Sequence, residues 1–325
     1  MTDTEAVFCK RSAYSSDIHK QERLPVVDLG IHVTSRINYN YRAMFNHILV
    51  PTDGSDCAQA AVGYAVDLAT RYEARVHALC VVDSRTLENA PQYDQLKKER
   101  KKVAEGTCNA ISGSGVLVEQ AVRTGVPHEA ILRYTTDQDI DLIVMGTHGR
   151  TGVARYLLGS VTEKVVRLSD VPVLTVKAED DEVTYPYTDI LVPTDGSEGA
   201  EAAIDSAVDV ASTYDARLHA LSVIDTMAMG VDVRSGAIFD VLEESAQSAV
   251  ETIEEQATQA SVSAVETAIE HGNPYRGIRS HVEAHDIDLV VMGTRGRSGV
   301  ERYLLGSVTE KTVRTSPVPV MTVRG

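Results

Sequence analysis

The chain of 325 residues is long enough for two domains of average size. With 43% hydrophobic and 24% charged residues, its composition is that of a folded protein and excludes wholesale disorder. The formal net charge of −16 disfavours nucleic acid as a partner, because an acidic surface repels phosphate backbones. Such a surface fits either a halophilic, salt-rich cytoplasm or an ordinary acidic protein.

Residues 1–43 lie outside the internal repeat of the chain, and we expect them to form a flexible N-terminal extension. They carry six basic and five acidic residues, whereas the rest carries 25 basic and 42 acidic. The strand-like segment LPVVDLGIHV at 24–33 favours the alternative of an ordered arm. The first residues lack the apolar core of a signal peptide. No apolar run approaches the ~18–20 residues that span a membrane, and no CxxC pair occurs among the four cysteines. We therefore predict a cytoplasmic protein with no membrane partner.

The remainder of the chain is a duplicated domain. ILVPTDGS occurs at 48–55 and again at 190–197, and residues 141–176 match 288–323 at 28 of 36 positions. A period near 145 residues is a whole domain, too long for a solenoid unit. We place the first domain at 44–178, an acidic, proline-containing linker at 179–187, and the second domain at 188–325.

Each repeat predicts strands that alternate with helices. Runs rich in Val, Ile and Leu predict the strands of the first repeat, at 47–51, 75–83, 116–123, 141–146 and 172–176. Ser55 suits the N-cap of the first helix, and Pro127 and Pro274 suit the first turn of the third helix of each repeat. The alternation predicts an α/β fold class with two tandem doubly wound parallel-sheet domains.

A glycine-rich loop follows the fourth predicted strand of each repeat. In the first it reads Gly146-Thr147-His148-Gly149, then nine residues, then Gly159-Ser160, and the second repeat keeps the same spacing. Open α/β sheets bind ligands at the carboxyl ends of their strands, and glycines let backbone N–H groups approach an anion at a helix N-terminus. The spacing matches neither the P-loop nor the dinucleotide fingerprint, and a glycine-bounded turn can also be only a turn.

These motifs resemble the universal stress protein family over nearly all of residues 44–325. The resemblance rests on PTDGS after the first strand, VVD or VID ending the second, and Gly-x2-Gly-x9-Gly-Ser after the fourth. In that family the complete glycine pattern marks members that bind ATP, on Rossmann-like, adenine nucleotide alpha hydrolase-like domains. The resemblance implies phosphate contacts at Gly146, Gly149, Gly159, Ser160 and Val161, and at Gly293, Gly296, Gly306, Ser307 and Val308. It implies that backbone groups near Val81 and Val223 hold adenine.

The end of the first strand carries the other implied ligand residues. The resemblance implies that Asp53 and Asp195 face the nucleotide (ATP, ADP or AMP) or its Mg²⁺. Alongside them it places Pro51, Thr52, Pro193 and Thr194. The alternative for the two aspartates is that they shape the turn into the first helix.

Charged residues of the glycine loops are candidates to steady phosphates, or else are solvated loop residues. They are His148 and Arg150 in the first repeat and Arg295 and Arg297 in the second. His148 opposite Arg295 predicts that the two sites differ in affinity or pH response.

Other conspicuous residues are assigned structural roles. We expect His77 and His219 to be core or edge residues of the second strand rather than ligands, and Met145 and Met292 to serve packing. The run KKERKK at 97–102 predicts an exposed helix face, not a nucleic-acid patch.

The sequence favours a nucleotide-binding stress-response module over a fast enzyme. Each repeat offers one plausible carboxylate and no dedicated base for phosphoryl transfer, and no GxSxG or HExxH pattern occurs. Slow ATP hydrolysis or self-phosphorylation stays open. One alternative is an adenylating enzyme, although PTDGS lacks the paired glycines expected of its phosphate loop. The other is a nucleotide-free interaction scaffold.

Assembly is predicted from the last strand of each repeat. VPVLTV and VPVMTV are apolar edge strands that invite pairing. The resemblance implies pairing of these strands across a two-fold, so the duplication predicts a pseudo-dimer within one chain, with a homodimer left open. An unknown protein partner would recognise the surface around MAMGVDVRSG at 227–236.

Overall fold

The computed structural model of the chain describes residues 7–8, 43–86, 93–149, 158–178, 185–226, 236–296 and 304–325. These residues form two α/β halves that repeat the same succession of strands and helices. The predicted fold class is thereby confirmed, including the alternation of strand and helix in each repeat.

The first half begins after the short strand β1 (Val7–Phe8). Its elements are β2 (His47–Pro51), α1 (Asp56–Tyr72), β3 (Arg75–Asp83), a 3-10 turn (Ser84–Thr86), α2 (Tyr93–Ser112), β4 (Val118–Gly125), α3 (Pro127–Asp137), β5 (Leu142–Gly146), α4 (Ser160–Leu168) and β6 (Val173–Val176). The predicted strands agree with these bounds to within two residues, because continuous apolar runs mark strands buried on both faces.

The second half repeats the first. Its elements are β7 (Asp189–Thr194), α5 (Glu198–Tyr214), β8 (Arg217–Asp225), α6 (Gly236–Gln259), β9 (Ala264–Gly272), α7 (Pro274–Ala284), β10 (Leu289–Gly293), α8 (Ser307–Thr315) and β11 (Val320–Val323). Ser55 and Ser197 cap α1 and α5, and each side chain accepts a hydrogen bond from the amide three residues on.

The described strands form a single sheet in the order β1-β4-β3-β2-β5-β6-β11-β10-β7-β8-β9. Strands β2 to β6 are mutually parallel where they pair, and so are β7 to β11. The chain leaves β2 toward β3 on one side and reaches β5 on the other side. The gap between the carboxyl ends of β2 and β5 is therefore the topological switch point, where open α/β sheets bind ligands.

The two halves join through their last strands. β6 pairs with β11 in antiparallel register, with Leu174 opposite Met321. The hydroxyl group of Thr175 adds a 2.9 Å hydrogen bond to the carbonyl of Val320. This pairing confirms the predicted pseudo-dimer within one chain, while a homodimer stays a prediction.

The segments before and between the repeats are only partly described. Val7 and Phe8 pair with β4 in antiparallel register, and residues 24–33 lie outside the described residues. At the end of the predicted linker, Tyr185 packs edge-on against Tyr64 with ring centroids 4.8 Å apart, and Tyr187 is buried in the core. None of the described helices is long and apolar enough to cross a membrane.

Candidate functional site

A cavity of about 290 Å³ opens at the switch point of the first half. It is bounded by the ends of β2, β3 and β5 and by the start of α4, which brings together segments from four separate parts of the chain. The predicted site residues among its lining are Pro51, Thr52, Asp53, Val81, Gly146, Gly149, Gly159, Ser160 and Val161. Its volume is close to the lower end of ligand pockets, about 300–1,000 Å³.

Asp53 both shapes the turn after β2 and faces the glycine loop. Its Oδ1 accepts a 3.0 Å hydrogen bond from the amide of Ser55, and Gly54 follows it with a φ of +82°. That conformation favours glycine. Its Oδ2 lies against Gly149, since a Cβ atom built on Gly149 would be only 2.5 Å away. The turn-shaping role is therefore present, and the ligand role stays a prediction that this position is compatible with.

Hydrogen bonds hold the glycine loop between β5 and α4 in place. The amide of Gly159 donates to the carbonyl of Thr147 at 2.7 Å, and the hydroxyl group of Thr162 donates to the carbonyl of Gly146 at 2.8 Å. A Cβ atom on Gly146 would come within 2.6 Å of Cys57 Cβ and 2.7 Å of its backbone carbon. Glycine at 146 is thus required by the packing of β5 against the start of α1, whether or not a ligand binds.

The N-terminus of α4 points its first amides at the cavity. Its N-cap is Gly159, which has no side chain to accept from them, and Ser160 and Val161 line the cavity. The first turn of a helix leaves N–H groups without intrahelical partners and carries a partial positive charge. An anion in the cavity would satisfy these donors.

The opposite wall of the cavity is formed by β3. The pairing of β2 with β3 ends at Pro51 opposite Leu79, whereas β3 continues to Asp83. Val81 therefore lies beyond the end of β2 and lines the cavity. The edge of its backbone on the β2 side is directed to the cavity. A flat, hydrogen-bonding ring fits such an edge.

Arg100 is a lining residue that the sequence interpretation missed. The basic run on α2 was expected to be a solvent-exposed face, and this is wrong for Arg100, which is half-buried and donates a 3.0 Å hydrogen bond to the carbonyl of Asp53. The available signal was helical spacing, because Arg100 lies one turn before Ala104, which is buried.

His148 lines the cavity beside Cys57. Its Nε2 lies 3.4 Å from the sulfur of Cys57, which also accepts a 3.3 Å hydrogen bond from the amide of Ala178. Arg150 and Arg297, the other predicted phosphate cations apart from Arg295, lie outside the described residues.

The second half repeats the loop geometry. The amide of Gly306 donates to the carbonyl of Thr294 at 2.8 Å, and Asp195 accepts from the amide of Ser197 at 3.1 Å. α8 likewise begins after a glycine cap, Gly306, without a side-chain hydrogen bond. Its predicted site residues Pro193, Thr194, Asp195, Val223, Gly293, Gly296, Gly306, Ser307 and Val308 occupy the positions equivalent to those of the first half.

Among the described residues, three positions distinguish the second crevice from the first. Gly199 replaces Cys57, and Arg295 replaces His148 and donates to the carbonyl of Gly325. Ala246 takes the position of Arg100. This alignment follows from α2 and α6, whose buried positions coincide when their residue numbers differ by 146. The matched pairs are Ala104 with Val250 and Ile111 with Ala257. The second crevice therefore lacks the cation that α2 supplies to the first.

The strand histidines and the strand-end methionines are buried, as expected. His77 and His219 are buried within β3 and β8, and Met145 and Met292 are buried at the ends of β5 and β10. Packing roles for the methionines and core positions for the histidines are therefore confirmed.

Comparisons with known proteins agree with this architecture. The model of the universal stress protein family matches the chain twice, at residues 44–177 and 186–324. A universal stress protein of Methanocaldococcus jannaschii, MJ0531, is 33% identical over 156 residues, which cover 46% of this chain and 92% of the relative.

Solved structures extend the likeness to both halves. The crystal structure of a universal stress protein from Archaeoglobus fulgidus is 26% identical, covers 87% of this chain and 99% of its own, and has a TM-score of 0.68. Another universal stress protein, solved in complex with cAMP, is 27% identical, covers 42% of this chain and 98% of its own, and has a TM-score of 0.33.

Proposed function

Because the chain belongs to the universal stress protein family, we propose that it binds ATP, or ADP or AMP, in the first-half cavity as a regulatory ligand. The observation that carries this proposal is the uncapped N-terminus of α4 facing a cavity at the switch point of the sheet. A helix N-terminus suits phosphate, and the switch point suits a nucleotide.

In this proposal the nucleotide lies in one direction along the cavity. Phosphates lie against the amides of the glycine loop and of Ser160 and Val161, while the base lies toward Val81 on β3. Asp53 faces the phosphate end from the end of β2. Its carboxylate is the kind of oxygen ligand that a nucleotide-bound Mg²⁺ takes.

The two carboxylates among the described lining residues, Asp53 and Asp83, are both already engaged by neighbouring groups. Asp83 is engaged by Arg85 at 2.6 Å, and this hydrogen bond lowers the pKa of its carboxyl group. Asp53 is engaged by the amide of Ser55. Neither carboxylate is thus arranged as a dedicated base for water. We propose that bound nucleotide persists and that a protein partner in the cytoplasm recognises the loaded state.

The second crevice is proposed as a weaker nucleotide site. It keeps the loop hydrogen bonds and the glycine cap of α8, but it has Ala246 where the first has Arg100, and Arg295, at the position of His148, already donates to the carbonyl of Gly325. A lost cation weakens the binding of a triphosphate more than the binding of its nucleoside.

Release of the ligand from purified protein tests the proposal. The full chain, purified in molar KCl and then denatured, is expected to release adenine nucleotide, identified by mass spectrometry. The chain freed of ligand is expected to bind ATP with Mg²⁺ in calorimetry.

The matched variants are Gly149→Ala and Gly106→Ala. The first drives a methyl group against the Asp53 carboxylate, whereas the second adds it on an exposed helix face with nothing within 4 Å. We expect only Gly149→Ala to weaken ATP binding in the first site. No released nucleotide together with no calorimetric binding would refute the proposal.

A further inference from the structure

Three histidines of the second half meet on one face of the sheet. His219 lies on β8, His281 on α7, and His285 directly after α7. Each offers one ring nitrogen, and the three nitrogens lie within 4.8 Å of one another. His281 and His285 are four residues apart, so both project from the same side of α7, which packs on β8.

The separations suit a shared metal ion. His219 Nδ1 and His281 Nε2 are 3.4 Å apart. Two imidazole nitrogens that each lie about 2.0–2.1 Å from one tetrahedral ion are separated by about 3.3–3.4 Å. The rings of His281 and His285 stack with centroids 4.1 Å apart. The exposed His285 ring supplies the third nitrogen, within 4.8 Å of the other two.

A carboxylate on the far side of the ring orients His219. Asp189 Oδ1 lies 3.1 Å from His219 Nε2, within hydrogen-bonding distance, and Glu270 Oε1 lies 3.6 Å from His281 Nδ1, where it contributes negative charge. A carboxylate that takes the N–H of one ring nitrogen leaves the lone pair of the other nitrogen for a metal. In His219 that free nitrogen, Nδ1, is the one that faces the cluster.

A fourth ligand is within reach. Glu266 Oε2 lies 3.7 Å from His219 Nδ1, on the cluster side of that ring. Its other oxygen accepts a 3.0 Å hydrogen bond from Arg217, which holds the carboxylate in place. His219 and His281 are buried, whereas Glu266 and His285 are exposed, so an ion can enter from solvent.

We propose that His219, His281 and His285, completed by Glu266, form a binding site for a divalent transition-metal ion of the Zn²⁺ class. Imidazole nitrogens with one carboxylate select Zn²⁺, Co²⁺ or Ni²⁺ over Mg²⁺ and Ca²⁺, which require oxygen ligands.

The site is separate from the nucleotide crevice and belongs to one half only. His219 is the third residue of β8, toward the amino ends of the strands, whereas the glycine loops lie at the carboxyl ends. The first half keeps His77 but has Tyr134 and Gln138 at the positions of His281 and His285. Tyr134 packs there against His77 with a 3.1 Å contact from its hydroxyl group to His77 Nδ1.

This difference supplies a matched variant. In His281→Tyr with His285→Gln, the second half receives the side chains that the first half already accommodates. The experiment titrates the full chain, without a polyhistidine tag and after treatment with a chelator, with Co²⁺ and follows visible absorption and heat. We expect one equivalent per chain with a tetrahedral spectrum, displaced by Zn²⁺. The double variant is expected to bind at least about 100-fold more weakly, as for the loss of two ligands.

A control variant completes the test. His271→Gln removes an exposed histidine outside the cluster and is expected to bind Co²⁺ as the parent does. If the two opposed rings of His219 and His281 are only a hydrogen-bonded pair, the parent shows no saturable binding or the double variant binds equally well. Either result overturns the proposal.

Discussion

Tyr72 of the first half donates a 2.6 Å hydrogen bond to Asp209 of the second half. The equivalent residue Tyr214 of the second half donates a hydrogen bond to Asp67 of the first. Both members of each pair are 142 residues from their counterparts, so the two bonds are related by the duplication itself. Burial raises the pKa of Asp209, and the bond from Tyr72 opposes that rise. The interface between the halves therefore contains a polar pair that must stay satisfied.

Removing one of these hydroxyl groups is expected to destabilise the whole chain. Tyr72→Phe leaves the half-buried Asp209 carboxylate without its donor, which costs about 1–3 kcal/mol of unfolding free energy. Denaturant unfolding measures this cost. Tyr275→Phe is the control, since Tyr275 contacts Thr315 at the rim of α7 and is expected to change stability by less than about 0.5 kcal/mol. Equal stability of the two variants would contradict the prediction.

A second prediction concerns the stability of the first half in acid. Desolvation, with His47 and Arg75 nearby, lowers the pKa of His77 from 6.5 to about 4. The folded chain therefore binds fewer protons here than the unfolded chain between these values. Stability contributed by neutral His77 is fully present above pH 6.5 and is lost as the pH falls toward 4.

His77→Gln removes this titration while it keeps a hydrogen-bonding group beside Tyr134. Between about pH 7 and pH 4.5 the parent is expected to lose roughly 2 kcal/mol more unfolding free energy than the variant. Urea unfolding at a series of pH values, with chelator present, measures the difference. His271→Gln, at an exposed position, should follow the parent curve; parallel curves for His77→Gln would show that the imidazole is protonated in the folded state.

Arg100 is expected to discriminate phosphate from nucleoside. Arg100→Met keeps the buried stem of the side chain but removes the charge next to Asp53, as Ala246 does in the second half. We expect ATP affinity in the first site to fall about tenfold, or 1.4 kcal/mol, with a smaller change for adenosine. Lys101→Met, on the exposed face of α2, is the control. Similar losses for ATP and adenosine would point to a packing role instead.

Much of the fold follows from the sequence because local patterns encode it. Apolar runs located the strands, and the family resemblance together with the repeat predicted the pairing of β6 with β11. The position of Arg100 in the cavity lining was not predicted, because the direction of its side chain depends on how α2 is rotated against β3. A run of mixed charges does not reveal that rotation. The histidine cluster was not predicted for a similar reason, since His219 and His281 are 62 residues apart and meet only when α7 packs on β8.

The last prediction concerns Gly146 and Gly149, which belong to the same loop motif but are expected to respond differently to alanine. Gly146 passes the backbone of α1, and a Cβ atom there would come within 2.7 Å of the Cys57 backbone carbon. Gly149 meets only the end of the Asp53 side chain, which can rotate away. Gly146→Ala is therefore expected to lower stability by about 1–3 kcal/mol.

Gly149→Ala is expected to leave stability within about 0.5 kcal/mol of the parent while it weakens ATP binding. Thermal and urea unfolding of nucleotide-free protein, paired with calorimetric titration, distinguishes the two effects. Gly106→Ala, in the exposed interior of α2, should raise stability by about 0.5–1 kcal/mol, because alanine is the better helix former. If Gly149→Ala is instead destabilised as much as Gly146→Ala, the Asp53 side chain is held in place by the fold. Glycine at 149 is then required for packing, and the variant does not report on ligand binding.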